Sequence, residues 1–113
     1  MPVANERVTA HAFLRALYED AYYPDHLVDR GRAVLVALCE RIEADRPAGL
    51  DALYALTHAA TEEFNDLRAA FDAAGSDIET VAREEMAGDF RFIASAYGFA
   101  DADVEELTAP RDW

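Results

Sequence analysis

The sequence has no lysine, and its 113 residues include one cysteine, one tryptophan and two serines. With Cys39 as the only thiol, no internal disulfide can form, which fits a reducing compartment. No window approaches the roughly 18 consecutive apolar residues of a membrane-spanning helix. The N-terminal stretch MPVANERVTAHAFLR lacks the apolar core of a secretory signal. We therefore expect a soluble, cytoplasmic protein.

Basic residues are scarce relative to acidic ones. Ten arginines face 23 acidic residues, and the formal net charge is −13. Nucleic acid and anionic membranes are poor partners for such a chain, because phosphate binding needs a basic face. A basic protein or divalent cations would complement the charge. The length predicts one domain. With the helical pattern described below, we predict a single helical domain over residues 1–113, with a loose lead-in at 1–8 and a tail at 109–113.

Motifs for nucleophilic or phosphate chemistry are missing. Neither Ser76 nor Ser95 lies in a G-x-S-x-G elbow, and the five glycines are scattered rather than gathered in a phosphate-binding loop. Cys39 falls on an apolar helical stripe, so it is predicted to be a core residue rather than a nucleophile. We therefore predict no catalytic residue and no bound cofactor for the leading interpretation given below.

Apolar residues recur at helical spacing through most of the chain, and no stretch alternates with the period of a strand. This pattern predicts an all-α fold with four main helices in a mostly antiparallel bundle, followed by a short C-terminal helix. Gly31 lies inside the second helix, where it marks a close helix crossing, and Trp113 is predicted to pack back on the bundle. The predicted helices cover residues 10–21, 25–45, 50–74, 76–98 and 102–108.

Capping residues mark where these helices begin and end. Thr9 suits the N-cap of the first helix. Ser76, with Glu79 three residues later, forms a capping box at the start of the fourth. Gly75 and Gly98 are predicted to close the helices that precede them, because glycine adopts the left-handed conformation of a helix C-terminus.

Four segments of the chain carry a resemblance to a protein family. Together they resemble a bacterial family of short, all-helical proteins with no assigned activity, from about Tyr18 to the C-terminus. The resemblance implies a helical fold and a bacterial origin, and it transfers no catalytic residue, ligand or partner. The segments are YYPDHLVDRGRAVLVALCERIE, LYALTHAATEEFNDL, SDIETVAREEMAGDFRFIASAYGF and DVEELTAPRDW.

Two carboxylates, Glu85 and Asp89, fall within the predicted apolar stripe of the fourth helix. The apolar members of that stripe are Ile78, Val81, Ala82, Phe92, Ile93 and Ala96. A buried carboxylate without a partner is costly, so it is paired or protonated. One interpretation is a hydrogen bond to a tyrosine or an ion pair with an inward arginine. A second is a rotated helix with both groups exposed, and a third is a metal or substrate site between helices. The candidate arginines are Arg15, Arg32 and Arg68.

The metal interpretation would add Glu63 from the third helix, with Mg²⁺ or Mn²⁺ as the cofactor. The pattern resembles the all-helical nucleoside triphosphate pyrophosphohydrolases, in which acidic residues on two helices bind magnesium. Glu63 and Asp66 keep the spacing of three that the resemblance requires. Glu85 and Asp89 are four apart rather than three, so only one side of the site matches.

Two surface features complete the candidates. His58 and Glu62 are one helical turn apart on the outer face, where an exposed pair is expected, although dimerisation through that face would bring two pairs together. The corner Tyr22-Tyr23-Pro24-Asp25 offers tyrosines that suit an interaction surface or the end of a bundle.

The leading prediction is a non-enzymatic binding module that covers a basic protein partner, as an antitoxin or immunity protein would. The alternative is a divalent-metal-dependent nucleotide hydrolase with Glu63, Glu85 and Asp89 as metal ligands. A homodimer is left open under both predictions.

Overall fold

The computed structural model describes residues 2–113, which contain six helices and no strand. The all-helical prediction is confirmed, but only three of the helices are long. None of the helices in this range has the length and apolar character needed to cross a bilayer. The helices are α1 (Glu6–Thr9), α2 (Arg15–Tyr18), α3 (Asp25–Asp45), α4 (Leu50–Ala73), α5 (Thr80–Ala96) and α6 (Val104–Leu107).

Helices α3 and α4 pack along one another and form the centre of the fold. Gly31 of α3 makes this close packing feasible. A Cβ atom at that position would lie 3.0 Å from Leu14 Cδ1 and 3.1 Å from Phe64 Cε1. The predicted close crossing at Gly31 is therefore confirmed. The residues that α3 buries are those its periodicity selects, namely Leu27, Val28, Gly31, Leu35, Leu38, Cys39 and Ile42.

Both predicted glycine stops are confirmed. Gly75 and Gly98 have φ angles of 82° and 90°. After Gly75, the N–H of Ser76 donates to the carbonyl of Phe71 over 2.9 Å, and an equivalent bond of 2.8 Å follows Gly98. These bonds close the last turns of α4 and α5 in the Schellman pattern. The predicted burial of the terminal Trp113 is also confirmed.

The predicted capping box at Ser76 is wrong. Helix α5 begins at Thr80, and Glu79 occupies its N-cap position without a side-chain hydrogen bond. Ser76 instead belongs to the closing turn of α4, and its side-chain oxygen is buried with no hydrogen-bond partner in the described chain. Ser76 therefore closes α4, whereas the sequence pattern predicts that it begins α5.

The predicted helix over residues 10–21 is also wrong. Thr9 ends α1 rather than capping a helix, and only the single turn of α2 forms farther along. Leu14 interrupts the helical path with a left-handed backbone at φ 57°. The predicted loose lead-in at 1–8 contains most of α1, in which Val8 is buried. The part of that prediction that concerns Met1 lies outside the described residues.

Candidate functional site

Asp89 lies on the buried face of α5, where the side chain is 7% exposed. Both of its carboxylate oxygens are occupied. Oδ1 is 2.8 Å from Nε2 of His11, and Oδ2 accepts a 2.8 Å hydrogen bond from the backbone N–H of Leu14. The carboxylate therefore holds two points of the chain that are 78 and 75 residues away.

Glu85 repeats this arrangement one helical turn earlier. Its Oε2 accepts a 2.6 Å hydrogen bond from the backbone N–H of Ala16, in the first turn of α2. The first N–H groups of a helix have no partner within the helix, and a side chain of the N-cap residue normally supplies one. The N-cap of α2 is Leu14, which has no side-chain acceptor. Glu85 and Asp89 thus provide from α5 the acceptors that the local sequence does not.

His11 is the residue of this site that sequence reasoning missed. Its ring stacks on Phe92 at a centroid distance of 3.9 Å and an angle of 15°, and meets the edge of Phe13 at 4.8 Å. The guanidinium carbon of Arg7 lies 5.7 Å from the Phe92 ring. No local pattern could have identified His11, because its partners lie on α5, far along the chain.

Burial raises the pKa of Asp89, although the hydrogen bonds from His11 and Leu14 act in the opposite direction. A buried carboxylate next to an imidazole can exchange a proton with it, as in acid–base sites. Here, however, the second carboxylate oxygen is bound to backbone rather than free for chemistry. The arrangement is therefore suited to fixing residues 11–16 against α5.

The expectation of an arginine or tyrosine partner for these carboxylates is wrong. Arg15 pairs instead with Glu19, at 3.8 Å. Arg68 pairs with Asp77 at 3.2 Å and with Asp112 at 3.8 Å. In residues 2–113, Arg32 forms no ion pair with either carboxylate. The backbone of a short segment and an imidazole satisfy the two acids, so guanidinium groups are not required.

The alternative of a rotated helix with both acids exposed is also wrong, although the buried stripe of α5 does differ from the predicted one. Asp89 is buried and Glu85 is half-buried. Val81, predicted to face the core, is 52% exposed, whereas Met86 and Phe90 are fully buried. The helix is turned so that Asp89 remains inside while Val81, one apolar residue of the predicted stripe, faces outwards.

Glu63 has different neighbours from the other two predicted metal ligands. It is exposed on α4 and lines a hollow of about 300 Å³ together with Asp66 and with Arg30 and Val34 of α3. Within residues 2–113, no three or more His, Cys, Asp or Glu side chains are grouped so that they could hold a metal ion. A metal site at Glu63, Glu85 and Asp89 thus stays a prediction.

His58 of α4 forms a hydrogen bond with α6 rather than pairing with Glu62. Its Nε2 lies 2.6 Å from the backbone carbonyl of Glu106, so the ring nitrogen donates that hydrogen bond. The ring also lies nearly parallel to Tyr54, with centroids 6.2 Å apart. This role positions the C-terminal part of the chain.

The core assignment of Cys39 is confirmed. The side chain is fully buried in α3. Burial raises the pKa of its thiol to about 12, so the nucleophilic thiolate is not populated near neutral pH.

A second candidate surface lies at the corner between α2 and α3. This corner contains a hollow of about 380 Å³, which we call the corner hollow. It is lined by Asp20, Tyr22, Tyr23, Glu79, Thr80, Val81 and Arg83. Tyr22 is 43% exposed and Val81 is 52% exposed, and they are the large hydrophobic side chains that the described chain leaves in solvent. The two tyrosines of the corner therefore differ, since Tyr23 is buried.

The fold and these sites describe a small all-helical protein with an N-terminal segment anchored by carboxylates. The chain belongs to DUF5713, a family of unknown function whose model matches residues 7–113. This confirms the resemblance to a family without assigned activity, while the bacterial origin stays a prediction. No curated protein and no solved structure shows a significant match to the chain.

Proposed function

We propose that this protein is a non-enzymatic, cytoplasmic binding module that covers a basic protein partner through the corner hollow. The observation that carries the proposal is the position of Tyr22 and Val81. They are separated by 59 positions in the chain, yet both exposed side chains line one hollow. Exposed apolar side chains that lie together, rather than singly, are typical of interaction surfaces.

The charges around the corner hollow indicate the kind of partner. Asp20 and Glu79 line it beside one arginine, Arg83, in a chain with a net charge of −13. A complementary partner would place an apolar side chain between Tyr22 and Val81 and basic side chains next to the two acids. An antitoxin-like or immunity-like neutraliser of a basic protein is one concrete form of this function.

Tyr22 is held in place by its neighbours. Its N–H donates to Asp20 Oδ1 over 2.9 Å, and its ring meets the edge of Tyr23 at 5.0 Å. Tyr23 is in turn buried edge-on against Phe71 of α4, at 6.1 Å. A side chain that is already ordered loses less conformational entropy on binding, which favours recognition.

The test uses a labelled peptide with one leucine between arginines, and fluorescence anisotropy as the readout. We expect binding that weakens several-fold between about 50 mM and about 300 mM salt, because exposed charges are screened over about a Debye length. Tyr22→Ala and Val81→Ala should each weaken it further at constant salt. A pull-down at low salt that recovers no basic protein, together with no peptide binding, would contradict the proposal.

Matched charge variants separate the corner hollow from general attraction by an acidic chain. The double variant Asp20→Asn with Glu79→Gln removes two charges at the hollow. The double variant Asp51→Asn with Glu62→Gln removes two exposed charges on α4. We expect the first pair to weaken peptide binding several-fold more than the second. Equal effects would show that net charge alone attracts the peptide.

The alternative function, a metal-dependent nucleotide hydrolase, has less support. Glu85 and Asp89 already bind the backbone of residues 14–16, whereas Glu63 lines a hollow with α3. Calorimetry with Mg²⁺ or Mn²⁺ tests this alternative directly. Metal binding by the parent protein that is lost in Glu85→Gln would support the hydrolase alternative.

A further inference from the structure

We infer that a second hollow, at the C-terminal ends of α3 and α5, binds a small carboxylic acid with an apolar body. The hollow has a volume of about 590 Å³. This lies within the roughly 300–1,000 Å³ typical of small-molecule sites. Its polar side chains include Glu43 and Arg46, and its larger apolar or aromatic side chains are Ile42, Pro47, Tyr97 and Phe99.

Glu43 is already engaged by the protein itself. Its Oε1 accepts a 2.9 Å hydrogen bond from the N–H of Ala4, and its Oε2 accepts one of 3.1 Å from the N–H of Asn5. The hydroxyl of Tyr97 also donates to Oε2. Because three donors already hold this carboxylate, it forms part of the wall of the hollow and is poorly placed to bind a cationic ligand.

Asn5 is likewise occupied on both sides of its amide. Its Nδ2 donates to the carbonyl of Ala96 over 2.9 Å, and its Oδ1 accepts from the N–H of Arg7 over 2.9 Å. The side-chain amide that the N-terminal segment contributes to the hollow therefore already has hydrogen-bond partners within the protein. The charged group of the hollow that is left to recognise a ligand is the guanidinium of Arg46.

Arg46 forms no ion pair with an acidic side chain of residues 2–113. Its backbone is left-handed, with φ 49° and ψ 64°, and its N–H donates to the carbonyl of Ile42 over 2.9 Å. Pro47 follows directly and restricts the next φ angle. These constraints fix the base of the arginine at the hollow. A guanidinium fork matches a carboxylate with two parallel hydrogen bonds, which a single point charge cannot do.

The experiment is a ¹⁵N-NMR titration with three probes that share one body, namely phenylacetate, 2-phenylethanol and 2-phenylethylamine. We expect phenylacetate to shift the amide signals of Ile42, Tyr97 and Phe99 in a saturable way in the millimolar range. It should bind about tenfold more tightly than the alcohol, because a charged hydrogen bond adds to the apolar contact. The amine should bind no better than the alcohol.

Arg46→Asn removes the charge while keeping a residue type that tolerates the left-handed conformation. We expect it to lower phenylacetate affinity to that of the alcohol. The control Arg41→Gln removes a charge from an exposed position of α3, the helix that precedes Arg46, and should leave the affinity within about twofold. The spectra show at the same time whether each variant is folded.

Three results would overturn the inference: no saturable shift with phenylacetate, equal affinity for the three probes, or equal losses in the two arginine variants. The inference stands independently of the proposed binding module. The two hollows share no lining residue among those described, so failure at one leaves the other untouched.

Discussion

The α3–α4 pair and the N-terminal segment (residues 2–24) become ordered in different ways. Each long helix repeats its apolar stripe over several turns, so each specifies its own length and buried face. The N-terminal segment contains two single-turn helices, and isolated turns are unstable because the first hydrogen bond orders several residues. Besides its buried apolar side chains, three carboxylates elsewhere in the chain anchor its backbone: Glu43, Glu85 and Asp89.

The largest expected effect tests the deepest anchor. Asp89→Ala leaves the buried N–H of Leu14 without an acceptor and removes the partner of His11. We expect it to lower the free energy of unfolding by about 3 kcal/mol, as for other losses of a buried charged hydrogen-bond partner. Urea unfolding measures the loss. Asp89→Asn should cost less than about 1 kcal/mol, because the amide oxygen can accept from the N–H of Leu14 and the amide nitrogen can donate to the imidazole of His11.

Two further variants calibrate this result. Glu85→Ala removes the acceptor of Ala16 at a half-buried position, so a loss of about 1 kcal/mol is expected, typical of a helix cap. Glu84→Ala changes an exposed neighbour and should stay within about 0.5 kcal/mol of the parent. If Asp89→Asn proved as damaging as Asp89→Ala, the charge itself, rather than hydrogen bonding, would hold the segment.

The next effect concerns the place where the two regions meet. Gly31→Val would press a branched side chain against Leu14 of the segment and Phe64 of α4, and we expect a loss of about 2 kcal/mol. Gly88→Ala is the comparison on α5, at a position where a Cβ would meet nothing within 4 Å. It should stabilise the protein by roughly 0.5–1 kcal/mol, because alanine is the better helix former. Thermal unfolding of both variants distinguishes crowding from helix propensity, and a stabilising Gly31→Val would disprove the close crossing.

The smallest effect is a pH dependence that separates two anchors. The hydrogen bond from Tyr97, followed by that from Ala4, lowers the pKa of Glu43. The stabilisation from Glu43 is therefore present above the ordinary glutamate pKa and is lost as the pH falls through the lowered value. Burial raises the pKa of Asp89, so its contribution is most favourable at low pH and is lost as the pH rises through the raised value.

Urea midpoints of Glu43→Gln and Asp89→Asn between about pH 3 and about pH 7 measure this difference. Relative to the parent protein, Glu43→Gln should become less stable as the pH rises, whereas Asp89→Asn should become more stable. Slopes of the same sign would show that the two carboxylates are held in equivalent environments.

The two regions also show what the sequence could predict. The bounds and buried face of α3 follow from its apolar spacing, and the glycine stops follow from the left-handed turns that glycine tolerates. The predicted start of α5 at Ser76 is wrong because a serine after a helix can equally belong to the turn that closes that helix. A local pattern cannot tell which neighbouring helix claims such a residue.

The helical spacing identifies the carboxylates of the candidate site as unusual, but it does not identify their partners. A count of helical positions placed Asp89 inside, and this is confirmed. Its partners are an imidazole and a backbone N–H, and backbone groups carry no sequence signal at all. At the corner, the sequence predicts only tyrosines that suit an interaction surface or the end of a bundle, because the helical spacing assigns Val81 to the core. Its exposure depends on how α5 is turned by Asp89, Met86 and Phe90.

The sequence distance between the anchors and the segment has a consequence for synthesis. During translation, His11 and Leu14 are added to the chain long before their partner Asp89. Helices α3 and α4, by contrast, are synthesised one directly after the other. The apolar residues Phe13, Leu14 and Leu17 therefore leave the ribosome before the helix that fixes them exists. We expect the first part of the chain to be among the last to settle, once α5 is complete.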